Sequence, residues 1–506
     1  MALVCPYVCT AMNEFELKFE IPPARFKGAK AAVQRGQAAQ QRLQARYFDT
    51  PDGLLAAQGV VVRLRKEGRH WVQTAKAPGS RPLERLEHNV ALGMQAAPLL
   101  DLARHQHEPA GDCIRRALRL KGNDAFPPLV LVYSSNIVRL SRLLRLRGTV
   151  VEIALDQGHI SAGNRTLPVS ELELELKQGE PAEAIALAAS WCGRHGLWLN
   201  SVSKSMKGQR LALGTAFGAA TGASALRFSR QLTGSALAAA VVSNCLGQVL
   251  PNASDVAGGC TDGDAIHQLR VGIRRMRTAL RELSGLTDSW NGHSNAWEAA
   301  LMAVFRELGQ HRDRDYLLHK LQGQIAQAGG PALDWRDVLG ELPNAAAAVR
   351  SPAFQQTLLG LIGWVHVANG GEDQKDKTPK KALRKRLTRL HSQVLAQGQQ
   401  FTALPEPEQH NLRKRLKRLR YLAEFSQPLF SARKAKLYLA DLKPLQDVLG
   451  TYHDEVAALA AWQKLSSHDP RALFGAGWLS ARGEAHVMAC QQACDRFASR
   501  SRPFWD

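Results

Sequence analysis

The period of the hydrophobic pattern changes once along this chain of 506 residues, near residue 210. Before that point apolar and polar residues alternate in short runs between turn signals, a pattern typical of strands joined by hairpins. After it the apolar residues recur every three to four positions, which predicts helices. Because a single core does not accommodate so long a chain, we expect separate domains, with the boundary in the Gly- and Ala-rich residues 211–226.

The N-terminal part is predicted to form eight or nine strands with few helices. The expected strands are residues 14–21, 42–48, 60–66, 70–76, 83–92, 129–139, 149–156, 171–177 and a short run at 201–204. Closing antiparallel strands into a barrel pairs every edge, so we expect a closed barrel. Helices are expected only at residues 24–35 and 181–195.

The helical part contains an internal repeat. HQLRVGIRRMR at residues 267–277 aligns without a gap on HNLRKRLKRLR at residues 410–420. Downstream, LGQHRD at residues 308–313 matches LGTYHD at residues 449–454. The sequence therefore predicts two units related by duplication, at about residues 230–365 and 380–500.

Charged residues alternate with apolar ones on several of the predicted strands. In ELELELK, Glu171, Glu173 and Glu175 share one face, because successive side chains of a strand point to opposite sides. The same spacing recurs at Glu14, Glu16 and Lys18, at Arg63 and Arg65, at Lys76, and at Arg85 with Glu87. One such strand would be an ordinary solvent-exposed face, but five of them favour a polar bore inside the barrel.

Like charges enclosed in a bore need ligands that compensate them. Clustered glutamate oxygens suit a hard divalent cation such as Mg²⁺ or Mn²⁺. Clustered Arg and Lys suit a compact polyanion, since Arg offers paired contacts to phosphate oxygens. The formal net charge of +21 also favours an anionic partner. A metal ion with a triphosphate-like anion is therefore the expected guest.

The N-terminal motifs resemble the CYTH, or triphosphate tunnel metalloenzyme, family over residues 13–210. The resemblance rests on EFELK (14–18), RYFDTPDGLL (46–55), VEIALDQG (151–158), ELELELK (171–177), the charged positions named above, Arg139 and Ser203-Lys204. It implies an eight-stranded antiparallel tunnel that hydrolyses triphosphates with the aid of Mg²⁺ or Mn²⁺.

The same resemblance implies roles for individual residues. Metal binding is expected at Glu14, Glu16, Glu173 and Glu175. Catalytic roles are expected for Glu14, Glu16, Lys18 and Lys76, and substrate binding for Arg63, Arg65, Arg85, Arg139 and Lys204. Glu87, Glu152 and Asp156 also fit, with their roles left open. Two features depart from the family pattern: Glu171 adds a third acid to its strand, so which two bind metal is open, and RLEHN lacks the second acid of R-x-E-x-E.

In the helical part, each copy of the repeat carries a cationic stripe. His267, Arg270, Arg274 and Arg277 fall within an arc of about 80° at 100° per residue. The second copy repeats the stripe with His410, Arg413, Lys417 and Arg420. A single basic face is usually only solvated, but both stripes lack interleaved acids, so we expect their repulsion to remain uncompensated unless an anion binds.

These stripes, with the HRDRD and LG-x-x-H-D stretches, resemble the CHAD family over residues 225–500. The resemblance implies an all-α domain of two related four-helix bundles, whose basic faces form a groove for inorganic polyphosphate. Nucleic acid is not expected as a partner, because aromatics make up only 6% of the chain and none interleaves the stripes as a base-stacking platform would.

The leading hypothesis is an inorganic triphosphatase that hydrolyses tripolyphosphate to pyrophosphate and phosphate, with a helical domain that binds long-chain polyphosphate. One rival is an enzyme for an organic triphosphate, of the thiamine triphosphatase or class IV adenylate cyclase type. The other is a non-catalytic polyphosphate-binding protein, although binding alone needs only the cations. Eight scattered cysteines, no secretory signal and no unbroken membrane-length apolar run favour a cytoplasmic protein without a membrane partner, associated with polyphosphate granules.

Overall fold

The computed structural model describes residues 12–79, 84–122, 124–228, 232–287, 292–335, 339–368 and 379–506, with the backbone alone at residues 12–14 and 84. The chain forms two compact units. The first comprises residues 1–220 with 250–260 and 349–363, and the second comprises the remaining residues. The predicted domain limits, 13–210 and 225–500, and the predicted repeat units stay predictions.

Eight antiparallel strands of the first unit close into a barrel. Around the barrel the order is β5-β4-β3-β2-β6-β7-β8-β1, and β1 pairs back with β5, so no edge remains open. A ninth strand of two residues pairs with β1 outside this ring. The strands are β1 Met12–Glu20, β2 Ala39–Asp49, β3 Val61–Glu67, β4 His70–Pro78, β5 Glu84–Gly93, β6 Val130–Leu146, β7 Thr149–Ala162, β8 Arg165–Gln178 and β9 Trp198–Leu199. The predicted eight-stranded barrel is confirmed.

Within the described part of residues 12–220, five α-helices accompany these strands. They are α1 Phe26–Gln34, α2 Leu54–Ala57, α3 Pro109–Ala117, α4 Pro181–His195 and α5 Lys204–Leu213. The predicted strand at residues 201–204 is wrong. Ser203 instead begins α5, because its side chain accepts a hydrogen bond from the backbone N–H of Met206 and caps the helix.

Helix α5 packs against the bore-facing side chains at one end of the barrel. Tyr47 of β2 and Tyr133 of β6 stack there with ring centroids 4.5 Å apart, and Leu211 of α5 packs against the same cluster. Gly208 lets the helix approach closely, since a Cβ atom at that position would lie 2.2 Å from the Tyr133 ring. The helix therefore carries its polar residues to the barrel interior.

The chain beyond the barrel is helical, as predicted. Its helices are α6 Gly234–Ala257, α7 Gly263–Leu283, α8 Ser294–Asp315, α9 Gln322–Gln327, α10 Ala345–Arg350, α11 Pro352–Ala368, α12 Pro379–Gly398, α13 Glu406–Ser426, α14 Ala432–Ser466 and α15 Leu473–Arg500. Both copies of the repeated motif lie on helices of 21 residues, α7 and α13. The apolar sides of these two helices are buried, for example at Ile273 and Leu416.

Among the described residues, α6 is the one helix long and apolar enough to cross a membrane by length and composition. Its apolar stretch is 67% buried inside the protein, as in the core helix of a globular fold.

The close approach of α5 gives a stability prediction. Gly208→Ala should lower the free energy of unfolding of the full chain by about 1–3 kcal/mol, because the new methyl group overlaps the Tyr133 ring. Gly193→Ala in α4 is the matched control, since the nearest atom to its Cβ position is 3.6 Å away. Denaturant unfolding measures both, and an equal midpoint for the two variants would contradict the close packing of α5.

Candidate functional site

Three glutamates form a row across neighbouring strands of the barrel. Glu16 of β1 lies opposite Glu175 of β8, and Glu175 lies opposite Glu152 of β7. Directly opposed residues of antiparallel strands have Cβ atoms about 4.5–5.5 Å apart. Leu17 and Leu174, which follow and precede these acids along their strands, are buried on the other face of the sheet, so the acids face the bore.

Lysines pair with every acid of this row. Lys18 Nζ donates a hydrogen bond to Glu16 Oε2 at 2.6 Å. Lys177 Nζ lies 2.6 Å from Glu175 Oε1 and 3.1 Å from Glu152 Oε2. The carboxylates are therefore held in place by neighbouring ammonium groups.

The Glu16 carboxyl lies where further positive charge is favourable. Burial and the negative charge of Glu173 raise its pKa above the usual value, against the opposing effects of Lys18 and Lys76. A divalent cation beside Glu16 would reverse this shift, because it stabilises the ionised carboxylate.

Glu173 lies one level deeper in the bore and is ionised. Lys204 Nζ donates to its Oε1 at 2.6 Å, and Arg139 pairs with its other oxygen. The same two cations hold Asp156, at 2.8 Å from Lys204 and 2.6 Å from Arg139. Burial alone would raise the pKa of Glu173, but Lys204 and Arg139 outweigh it and hold this pKa well below the usual value.

A second lysine of α5 completes this network. Lys207 Nζ lies 2.6 Å from Glu171 Oε1 and also pairs with Glu20. Lys204 holds the other oxygen of Glu171 at 2.6 Å. Although burial would raise the pKa of Glu171, these two lysines lower it. Glu171 is thus tied to α5, whereas Glu175 lies in the outer row.

The sequence pattern missed Lys207. The strand predicted at residues 201–204 would have placed only Lys204 in the bore. In a helix, residues three apart share one face, so Lys204 and Lys207 point the same way. The serine N-cap at Ser203 was the available signal.

Strands β4 and β3, which follow β5 in the order around the barrel, carry further cations. Arg65 Nε donates to Glu67 Oε1 at 2.6 Å, and Lys76 Nζ lies 2.5 Å from Glu87 Oε2. Burial and the neighbouring charge of Arg63 lower the pKa of Arg65. Arg63 and Arg65 are therefore close enough to repel each other, and a shared anion would relieve that repulsion.

Two further predicted site residues lie at the β1–β5 seam. Glu14 and Arg85 are directly opposite each other in the backbone register. The side chain of Glu14 lies outside the described residues, so its predicted metal and catalytic roles stay predictions. Its position two residues before Glu16 places it on the same face of β1.

The donor chemistry of the bore fits a hard divalent cation, because the acids of the outer row offer only carboxylate oxygens. No group of three or more His, Cys, Asp and Glu side chains close enough to hold a metal ion occurs within the described ranges, which leave out the side chain of Glu14. Lys18 and Lys177 instead pair with the acids. The fit of these acids to a divalent cation therefore rests on their oxygen donors and on the strand register that places them side by side.

Asp49 of the RYFDTPDGLL motif has a structural role. Its carboxylate accepts hydrogen bonds from the backbone N–H groups of Thr50 at 2.7 Å and of Leu55 and Ala56 at 2.9 Å. It thereby fixes the turn between β2 and α2, away from the acids of the bore.

In the helical unit, one aspartate joins the two copies of the repeat. Asp454 of α14 accepts hydrogen bonds from Arg312 of α8, at 2.6 and 3.2 Å, and from Arg413 of α13 at 3.3 Å. Arg312 and Asp454 belong to the two matching stretches LGQHRD and LGTYHD. The sequence pattern flagged both stretches but assigned neither residue, since the pairing spans 142 positions.

The ring of Phe305 of α8 lies beside three arginines of the first cationic stripe. The guanidinium groups of Arg270, Arg274 and Arg277 lie 4.5, 5.2 and 5.7 Å from its ring centroid. The structure therefore gathers three of the four predicted residues over one aromatic face. Burial lowers the pKa of the fourth, His267, together with the charges of Arg312 and Arg274.

The predicted absence of compensating acids is wrong for three members of the stripes. Arg277 pairs with Glu298 at 2.7 Å, and Arg413 pairs with Asp454. Arg420 pairs at 2.8 Å with Glu424, which lies four residues later on the same helix. Two of these acids belong to other helices, so a pattern read along one helix could not show them.

Lys417 lies among like charges. Burial and the charges of Arg274, Arg413 and Arg312 lower its pKa to about 6, and Asp454 is the acid that opposes this shift. We name Arg270, Arg274, Arg312, Arg413 and Lys417 the first basic cluster. Beside it, His410 packs edge-on against His453 with centroids 4.9 Å apart, and burial lowers the pKa of His453 to about 4.

Comparison with known proteins identifies both halves of the chain. The CYTH domain model matches residues 12–208, and the CHAD domain model matches residues 240–463. A relative from Haemophilus influenzae named inorganic triphosphatase is 27% identical over 165 residues, which are 33% of this chain and 44% of the relative. The matched segment thus spans less than half of that relative.

Two solved structures are also similar. The CHAD domain from the plant Ricinus communis is 25% identical, with 55% of this chain and 96% of that chain covered and a TM-score of 0.45. A Hippeastrum protein, described as a putative adenylyl cyclase with a dominant triphosphatase activity, is 15% identical, with 40% and 97% covered and a TM-score of 0.30.

The network around Glu171 gives a prediction with a pH signature. Lys207→Met should destabilise the full chain at pH 7, because it leaves the buried carboxylate of Glu171 and the half-buried one of Glu20 with less positive charge. In the folded protein the pKa of Glu171 is lowered, so its ionised form stabilises the fold above pH about 4.5, and this contribution is lost as the pH falls further.

The stability deficit of Lys207→Met should therefore be smaller at pH 4 than at pH 7, as measured by urea unfolding at both values. Lys27→Met, at an exposed lysine of α1, is the control and should change little. A deficit that does not depend on pH would contradict the ion pairing of Lys207.

Proposed function

This chain consists of a CYTH domain followed by a CHAD domain, and on that premise we propose that it is a metal-dependent inorganic triphosphatase. It cleaves a terminal phosphoanhydride bond of tripolyphosphate with water and releases pyrophosphate and phosphate. The observation that carries this proposal is the enclosed network of carboxylates and cations in a closed barrel. The relative named inorganic triphosphatase supports the inorganic substrate over an organic triphosphate.

Glu16, Glu175 and Glu152, with Glu14 and Glu173, would hold Mg²⁺ or Mn²⁺. When bound, the metal supplies Lewis-acid stabilisation of charge on the phosphate oxygens. Lys204 and Arg139 keep Glu173 ionised, and that is the form a metal requires. Lys204 and Arg139 were predicted to bind phosphate directly, and in this proposal they also position the carboxylate of Glu173.

The phosphate chain is bound by cations of β1, β3 and β4. Arg63 and Arg65 present two guanidinium groups that repel each other, and a phosphate between them offers oxygens to both. Lys18 and Lys76 act on the charge of Glu16 and add ammonium groups near it. These residues orient the scissile phosphate and neutralise the charge that develops on it.

The helical part binds inorganic polyphosphate through the first basic cluster. Support comes from the grouping of four arginines and Lys417. Asp454 and Asp313 are the acids that act on the charges of Arg270 and Arg413, and Asp454 acts on that of Lys417. The location proposed for the protein is the cytoplasm, with polyphosphate granules as the place where such a partner accumulates.

The proposed activity is tested by removing one carboxylate charge. Glu16→Gln keeps the size of the side chain but not the charge that a hard cation needs, so phosphate release from tripolyphosphate should fall by at least about tenfold. Glu180→Gln, at an exposed acid before α4, is the matched control and should retain parental turnover. Parental turnover of Glu16→Gln at saturating metal would contradict the metal assignment.

The charge state of Lys417 predicts a pH dependence for polyphosphate binding. Its pKa of about 6 leaves it largely uncharged at pH 8, and a bound polyanion favours the protonated form. Affinity should therefore rise as the pH is lowered from 8 to 6 and level off below. Arg312 and Arg413 carry guanidinium groups that stay charged over this range, and the lowered pKa of Asp454 keeps its carboxylate ionised.

Titration calorimetry of the full chain with long-chain polyphosphate measures this dependence, including the proton taken up on binding. Lys417→Arg carries a permanent charge and should bind with affinity that changes little between pH 6 and 8. Identical pH profiles for Lys417→Arg and the parent would show that Lys417 is not the group that titrates.

A further inference from the structure

A second group of arginines gathers in the helical unit, around a single buried acid. Its members lie on α7, α12 and α13 and are Arg281, Arg386, Arg389, Arg415 and Arg418. Glu282 of α7 is 3% exposed, and its Oε1 lies 3.6 Å from Arg418 Nε. Arg281, Arg415 and Arg389 act on the charge of Arg418, and Arg389 acts on that of Arg386. We name these five residues the second basic cluster.

Among the residues that the structure describes, the positive charges of this cluster outnumber the acids that act on them. Glu282 acts on both Arg418 and Arg386, and Arg281 has a further partner in Glu298 at 3.7 Å. Within the described part of the chain, Nη1 of Arg386 and Nε of Arg418 are buried and make no hydrogen bond. Such groups cost free energy unless they find an acceptor, and an anion would supply it.

The first copy of the repeat surrounds the equivalent arginine with different groups. Arg275, the counterpart of Arg418 in the sequence alignment, donates to Gln248 Oε1 at 3.0 Å and to Asn244 Oδ1 at 2.8 Å. It also lies over the ring of Phe425, the counterpart of Glu282, at 5.4 Å. The equivalent arginine thus bonds to two neutral amides and lies over an aromatic ring, although its Nε, like that of Arg418, makes no hydrogen bond. Arg418 differs in lying among further arginines.

We propose that the second basic cluster is an additional anion site, which binds phosphate groups of inorganic polyphosphate. This inference rests on the proposed polyphosphate binding of the helical part and extends it beyond the first basic cluster. Guanidinium groups suit this ligand because each presents paired donors to phosphate oxygens. None of the five guanidinium groups lies over an aromatic ring of the described residues, so bases of a nucleic acid would find no stacking platform here.

The test uses Arg389 and Arg415, two of the three arginines of the cluster for which the described residues show no ion pair. Arg389→Gln with Arg415→Gln, in the full chain, should weaken binding of fluorescently labelled long-chain polyphosphate at least about tenfold at low salt. The dependence of affinity on salt should also become shallower. Arg433→Gln with Arg496→Gln removes two exposed charges elsewhere and should change affinity less than twofold.

Variants of the first basic cluster separate this inference from the proposed function. If Arg274→Gln with Arg413→Gln weakens binding while Arg389→Gln with Arg415→Gln binds like the parent, the second site is refuted and the proposed function stands. If the parent does not bind polyphosphate, both are refuted. Displacement by duplex DNA at equal phosphate concentration would also overturn the assignment. Unfolding midpoints equal to that of the parent confirm that each variant is folded.

Discussion

The structure depends on charge compensation inside a closed barrel. Acids that face a bore of low dielectric constant are stable only when cations lie beside them. Glu171, Glu173 and Asp156 meet this requirement through Lys204, Lys207 and Arg139, so the helix that brings the lysines is as necessary to the site as the strands that bring the acids. The outer acids are compensated less completely, and burial together with the charge of Glu173 leaves the pKa of Glu16 raised. The deeper cations therefore stabilise the fold and keep Glu173 ionised, and the proposed metal would add positive charge beside Glu16.

The same constraint appears with opposite sign in the helical unit. There the cations are in excess, and Asp454 joins the two copies of the repeat through Arg312 and Arg413. Lys417 responds by losing its proton near neutral pH, whereas the arginines cannot. In the proposed function, the carboxylates of the barrel would bind a metal ion, and the cations of both halves of the chain would bind phosphate groups.

The barrel and the residues on its bore were predictable because strand alternation is a local property. ELELELK places three acids on one face whatever surrounds it. A closed order of eight strands was expected because closure pairs the edge of every strand. The strand predicted at residues 201–204 was wrong, since its short run of alternation competed with a serine cap that starts a helix. The pairing of Arg312 with Asp454 could not be predicted, because partners far apart in sequence are chosen by helix packing. The pairing of Lys207 with Glu171 was missed for the same reason, combined with the wrong secondary structure.

The most direct test of the account is phosphate release from tripolyphosphate, ATP, thiamine triphosphate and long-chain polyphosphate, measured side by side with Mg²⁺ and with Mn²⁺. The account predicts that kcat/KM is highest for tripolyphosphate with at least one of the metals and that activity is lost when the metal is chelated. Higher kcat/KM for an organic triphosphate would contradict the proposed substrate. Undiminished hydrolysis in the presence of a chelator would contradict the role of the acids, and with it the central claim that the charges of the bore are arranged around a metal ion and a phosphate chain.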